Sequence, residues 1–122
     1  MQINYAVIDS IQGEFINNGL KNTYSSSSSY TRGGAIYSNS TITNGITDSL
    51  FRGNYVDASG NAQGGAIYLD AYSLSINGDF IGNHVQGQTA QGGAVYANRI
   101  HGINGIFSNN YASSTSGSAY GG

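Results

Sequence analysis

The chain has 122 residues, 8% of them charged, with 19 glycines, no proline, cysteine or tryptophan, and a formal charge of −2. That length is one domain, residues 1–122, and the charge excludes nucleic-acid binding, which needs clustered cations to displace counterions; Lys21, Arg32, Arg52 and Arg99 are scattered. No apolar run approaches the ~20 residues that span a bilayer. Met1-Gln2-Ile3-Asn4 lacks the basic and apolar regions of a signal peptide, which leaves a cytoplasmic chain, a processed product or a fragment given an initiator Met. The absence of cysteine fits export without disulfides. Gly, Ser and Asn disfavour helix, and short runs of Ile, Val, Tyr and Thr favour strands, so the composition predicts many short strands and tight turns.

Ser10-Ile-Gln-Gly-Glu-Phe15 opens the first unit, and Phe15-x-x-Asn18 closes it at a corner. Residues 19–32 then read as a long connection that carries Ser25 to Ser29 between Tyr24 and Tyr30. Gly-Gly-Ala-Ile-Tyr at 33–37 predicts a short strand behind a glycine bend, where positive φ or close packing excludes a side chain. Asn44-Gly45 is turn chemistry, and Phe51-x-x-Asn54 repeats the first marker. A connection at 55–63 leads to the second Gly-Gly-Ala-Ile-Tyr at 64–68. Ser73-Leu-Ser-Ile76 and residues 79–85 are the next strand-like pieces, with Asn77-Gly78 between them and Phe80-x-x-Asn83 inside the latter. After a connection at 84–91 come Gly-Gly-Ala-Val-Tyr at 92–96, Gly102-Ile-Asn-Gly-Ile-Phe107 and Asn110. A last connection at 111–120 ends in Gly121-Gly122.

Two markers therefore recur in phase. The Gly-Gly pairs are spaced by 31, 28 and 29 residues and the Phe-x-x-Asn pairs by 36, 29 and 27. Three short strands in 27–31 residues make one turn of a right-handed parallel β-helix, a β-solenoid, whose strands pair with their counterparts in the next coil at ~4.8 Å. A propeller blade needs four strands and about 40 or more residues. The predicted fold is all-β, about four coils of three strands, marked by Phe15, Phe51, Phe80 and Phe107. Equivalent residues then stack. Ile36, Ile67 and Val95 form one inward column. Ile11, Ile46, Ile76 and Ile103 form a second, the four phenylalanines a third, and Leu20, Val56, Val85 and Ala112 a fourth. Asn18, Asn54, Asn83 and Asn110 are read as a structural amide ladder at the corner.

Gly-Gly-Ala-Ile combined with Phe-x-x-Asn resembles the repeats of chlamydial polymorphic outer membrane proteins and of autotransporter-like adhesins, from Ser10 to Gly122. The resemblance implies a passenger region: a β-helical stalk at a bacterial surface or secreted from it, serving adhesion to a host-cell or glycan ligand. The family's membrane-anchoring β-barrel is missing, and full passengers carry many more coils, which together point to a fragment or a small relative.

The residues offer little chemistry. Aligned on Phe, Glu14 and Asp79 fall in one column two coils apart, ~10 Å, with Leu50 between them and no Arg or His beside them. Asp48 aligns with Gln12, Asn77 and Asn104. His84 stacks with Tyr55 and Tyr111, and His101 has no acid or Cys at metal-ligand spacing. The reading is not an enzyme, with no catalytic, cofactor or metal residues; a carbohydrate-active enzyme or tailspike piece is the lesser alternative. Connections of varying length on one side place a binding edge at Tyr24, Tyr30, Tyr55, His84 and Tyr111.

The ends add an expectation about partners. Placing Gly121-Gly122 before Met1 of a second copy leaves 15 residues to Phe15, as from Gly65 to Phe80. The chain thus either continues as a longer repeat or has a second copy as its partner, stacked head to tail through the coil ends into an extracellular filament.

Overall fold

A computed structural model describes the backbone of residues 1–122 and every side chain except that of Leu74. The first coil holds β1 (Gln2–Ile3), β2 (Glu14–Ile16), β3 (Gly19–Asn22) and β4 (Tyr30–Arg32). The second holds β5 (Ile36–Ser38), β6 (Ile46–Arg52), β7 (Tyr55–Ala58) and β8 (Asn61–Gln63). The third holds β9 (Ile67–Ile81), β10 (His84–Gly87) and β11 (Ala90–Gln91). The fourth holds β12 (Val95–Asn104), β13 (Phe107–Ser108), β14 (Tyr111–Ser114) and β15 (Ala119–Tyr120). The described residues contain no helix.

The strands stack in parallel into three sheets. The largest runs β1-β5-β9-β6-β2, with β12 and β13 also on β9; the others run β14-β10-β7-β3 and β15-β11-β8-β4. Because each strand pairs with its own counterpart one coil away, register is fixed by the repeat. Ile36 stands against Ile67 and Ile67 against Val95. Phe15 stands against Phe51, Phe51 against Phe80, and Phe80 against Phe107. The chain is a β-solenoid of four levels joined by three coil-to-coil steps.

Alternation explains which residues face in. Along β6, buried Ile46, Ser49 and Phe51 alternate with more accessible neighbours. Ile36, Ile42, Ile46, Ile67, Ile76, Phe51 and Phe80 are fully buried in the main core. Each contributes roughly 1.5–3 kcal/mol of transfer free energy. A smaller core of Val56, Ala58, Ala62, Val85 and Ala90 lies between the other two sheets. The second glycine of each pair lets the backbone narrow between these cores. A Cβ on Gly65 would lie 2.0 Å from the Gly93 oxygen and 2.5 Å from that of His84. The first glycine takes the positive φ, 68° at Gly33, 69° at Gly64 and 68° at Gly92, where a side chain is disfavoured.

Three sequence expectations change. The first coil is longer than 27–31 residues, since Asn18 lies 36 residues before its partner Asn54. Residues 79–85 are not one strand, because Gly82 at φ 63° turns the chain and separates β9 from β10. The segments after the Asn corner are not loops. Each carries two strands, and the variable length is confined to the turn between them: residues 23–29, 59–60, 88–89 and 115–118. The alternation of Val56 and Ala58 with polar neighbours is what buries these strands.

Candidate functional site

The Asn corner is the most connected polar feature. The Asn18 backbone N–H and Nδ2 both donate to Asn54 Oδ1 at 3.0 Å. Asn54 donates in the same way to Asn83 Oδ1, at 3.0 and 2.9 Å. Asn83 donates to Asn110 Oδ1, both at 2.9 Å. Each side chain also reaches back one coil: Asn54 Nδ2 to the Phe15 carbonyl, Asn83 Nδ2 to that of Phe51, and Asn110 Nδ2 to that of Phe80, at 2.8, 2.9 and 2.8 Å. Asn54 and Asn83 are fully buried, and every polar atom of these two amides is used. An isosteric carboxylate could not donate, which explains why the position is an amide.

Inside that corner the phenylalanine rings lie flat on one another. Phe15–Phe51 and Phe51–Phe80 are 4.8 Å apart and 3° from parallel, and Phe80–Phe107 is at 4.6 Å and 13°. Parallel strand register places them so, and a sideways offset relieves the repulsion of their faces.

Two ladders face outward. Tyr55, His84 and Tyr111 head β7, β10 and β14, with ring separations of 5.5 and 4.9 Å. The column begins at Gly19, where a Cβ would lie within 2.1 Å of the Tyr55 ring; the glycine leaves room for that ring to lean over it. Burial between the tyrosines lowers the His84 pKa from its usual 6.5, with the Asp57 carboxylate opposing. The second ladder is Tyr37–Tyr68–Tyr96, at 5.4 and 5.2 Å. Sequence reading did not single it out, although the signal was present: tyrosine is the fifth residue of every Gly-Gly-Ala-Ile/Val-Tyr motif. Arg32 lies 4.9 Å from the ring centres of both Tyr30 and Tyr68. Its Nε donates to Gln63 Oε1 at 2.8 Å, and Gln63 Nε2 to Gln91 Oε1 at 2.6 Å. Burial raises the Tyr68 pKa, against the pull of the Arg32 cation.

The five residues read as a binding edge lie in three places. Tyr55, His84 and Tyr111 make a single column, Tyr30 starts β4 in another sheet, and Tyr24 lies in the 23–29 turn, 69% exposed. Stacking decides what the column can offer. A ring stacked on both faces presents only its edge, so His84 has no free face on which a sugar or aromatic ligand could lie, and Tyr55 has His84 on one face and leans over Gly19 on the other. Tyr111, 49% exposed, keeps a free face.

Three acids line one groove. Glu14 pairs with Leu50, and Leu50 with Asp79. A register shift between Ile46 and Ser49 bulges β6 and brings Asp48 beside them, in an open groove of about 510 Å³ also lined by Asn77 and Asn104. Asp79 accepts from the Ile106 N–H at 3.1 Å. No His or Arg lines this groove. Among the described residues, no three His, Cys, Asp or Glu side chains group as metal ligands. The one ion pair among them, Lys21–Asp57 at 3.8 Å, is exposed and worth little.

The stacked sheets and continuous ladders define the class: a β-solenoid repeat protein. Comparison with protein-family models, curated proteins and solved structures finds no match.

Proposed function

We propose that the chain is a structural repeat region of a secreted or bacterial cell-surface protein, serving as a stalk and not as an enzyme. One observation carries this reading. The residues that recur from coil to coil, Phe, Asn, Tyr and the paired glycines, are committed to ladders along the axis. A side chain stacked and bonded on both sides holds the coil together and has little freedom to follow a reaction. The resemblance to autotransporter passenger repeats and the lack of cysteine support an extracellular location. Antibodies raised to residues 1–122 should label intact source cells, and external protease should remove the label. Labelling that requires lysis overturns the surface reading. Binding on glycan arrays or host-cell monolayers separates an adhesin from a bare stalk, and release of reducing ends from a polysaccharide would refute the non-enzymatic role.

A second reading is a subunit of an extracellular filament made by head-to-tail stacking. It is favoured by the core columns in the first and fourth coils, where within residues 1–122 Leu20 is 41% exposed, Phe107 44% and Ile103 48%. Electron microscopy of concentrated protein should reveal fibres. Monodisperse monomers would sink it.

A further inference from the structure

The two ends of the solenoid differ in hydrogen-bond sense. Every Asn corner donates its backbone N–H and Nδ2 to the Oδ1 of the next coil toward the C-terminus. Within residues 1–122, Asn110 therefore presents this donor pair to the open end, and Asn18 presents an unfilled Oδ1 at the other. The glycine bends follow the same sense. Gly33, Gly64 and Gly92 donate to the carbonyls of Gln63, Gln91 and Tyr120 at 3.0, 2.9 and 2.8 Å. Gly121 has the same φ, 68°, and its N–H points onward. At the N-terminal end an open cleft of about 340 Å³ is lined by Leu20, Tyr30, Arg32, Gly33, Gly34 and Tyr37. It lies under Gly33-Gly34, which Gly64-Gly65 and Gly92-Gly93 follow one and two coils further on.

We infer that a second copy of this chain docks in one register and one polarity, with Gly121-Gly122 of one copy seated in the cleft beneath Gly33-Gly34 of the other and Asn18 Oδ1 receiving the Asn110 donor pair. This rests on the end-to-end stacking reading above. The register brings Phe15 onto Phe107, Ile11 onto Ile103 and Leu20 onto Ala112. It offers the Arg32 carbonyl to the Gly121 N–H and the Phe107 carbonyl to Asn18 Nδ2, as Phe15 serves Asn54. The reverse polarities fail on the same groups. Two C-terminal ends would oppose donor to donor at Asn110, and two N-terminal ends acceptor to acceptor at Asn18, leaving buried groups unpaired.

Cysteine pairs read the register, since the chain has no cysteine of its own. Ile16, Arg52, Ile81 and Ser108 share an outward column. In the inferred contact Ile16 of one copy continues that column above Ser108 of the other, with Cα atoms roughly 4.8 Å apart, within disulfide reach. Oxidised Ile16→Cys/Ser108→Cys protein should run as a ladder of linked oligomers on non-reducing gels. Ile16→Cys/Ile106→Cys, two residues out of register, should link at least tenfold less, and Ile16→Cys alone should give no dimer. Concentration-dependent light scattering of the parent chain is measured alongside. Scattering that grows while the linkage favours the out-of-register pair or the single variant overturns this register and polarity but leaves end-to-end stacking standing. A parent chain that stays monomeric, with no linkage in any variant, overturns both.

Discussion

At the residue scale, position along the axis decides how much a repeated side chain contributes. Phe80 is wholly buried between two rings. Phe80→Ala should therefore destabilise by about 3–5 kcal/mol in urea unfolding. Phe107, open on one side, should lose distinctly less on the same substitution; equal losses would mean that stacking within the coil interior adds nothing. Asn83→Ala should be as damaging as a large core deletion, because it strips the acceptor from the buried Asn54 N–H, an unsatisfied group worth about 1–3 kcal/mol. His84 makes a pH prediction. Its folded pKa lies below the unfolded 6.5, so the unfolded chain binds the proton more readily. Its contribution is present above about 6.5 and is lost as pH falls through the folded pKa. The urea midpoint should drop over that window. Tyrosine already occupies this column in the coils on either side, so His84→Tyr should fold and remove this drop.

At the element scale, the pairs of glycines and the length of the turns set where strands may run. Gly65→Ala has no room, with backbone oxygens from two directions inside 2.6 Å of the new Cβ, and should abolish the folded circular-dichroism signal at 37 °C. The serine tract behaves differently. It climbs the side of the stack: the Ser27 carbonyl accepts from Asn61 Nδ2, and Ser25 Oγ from Gln88 Nε2, one and two coils on. Removing Ser25 to Ser29 leaves two residues between β3 and β4, the same length as the turns after β7 and β10. That deletion should fold, with the two hydrogen bonds from Asn61, Nδ2 to the Ser27 carbonyl and N–H to the Ser29 carbonyl, as its main loss, about 0.5–1.5 kcal/mol each. Parallel stacking also governs how much was legible beforehand. Columns such as Ile36–Ile67–Val95 and the Asn corner follow from periodicity alone, since the repeat itself dictates register. Strands β7 and β8 were obscured because the turn at 23–29, five residues longer than its counterparts at 59–60 and 88–89, made the equivalent segments look like loops. The Asp48 bulge was obscured for a related reason: one extra residue shifts a side chain to a neighbouring row, and spacing measured from Phe51 cannot reveal where the slack was taken up. The closed faces of His84 depend on ring orientation, which no spacing encodes.

At the scale of the whole molecule, each coil touches only its neighbours, so stability is close to a sum of coil terms and interface terms. The second and third coils have two interfaces each, and the first and fourth have one within residues 1–122. Amide hydrogen exchange should report this as a gradient, slowest for the backbone of Phe51, Val56, Phe80 and Val85 and faster by at least tenfold around Ile16 and Phe107; uniform protection would contradict it. The one-way amide ladder gives that gradient a further property. Each buried amide is polarised by the one before it and polarises the one after, as in any chain of aligned hydrogen bonds. The row from Asn18 to Asn110 is thus a small electric dipole laid along the axis, with its hydrogen-rich pole at the Asn110 end. Lengthening such a solenoid by whole coils would extend the dipole in the same direction, so an anion should gather more readily at one tip than at the other.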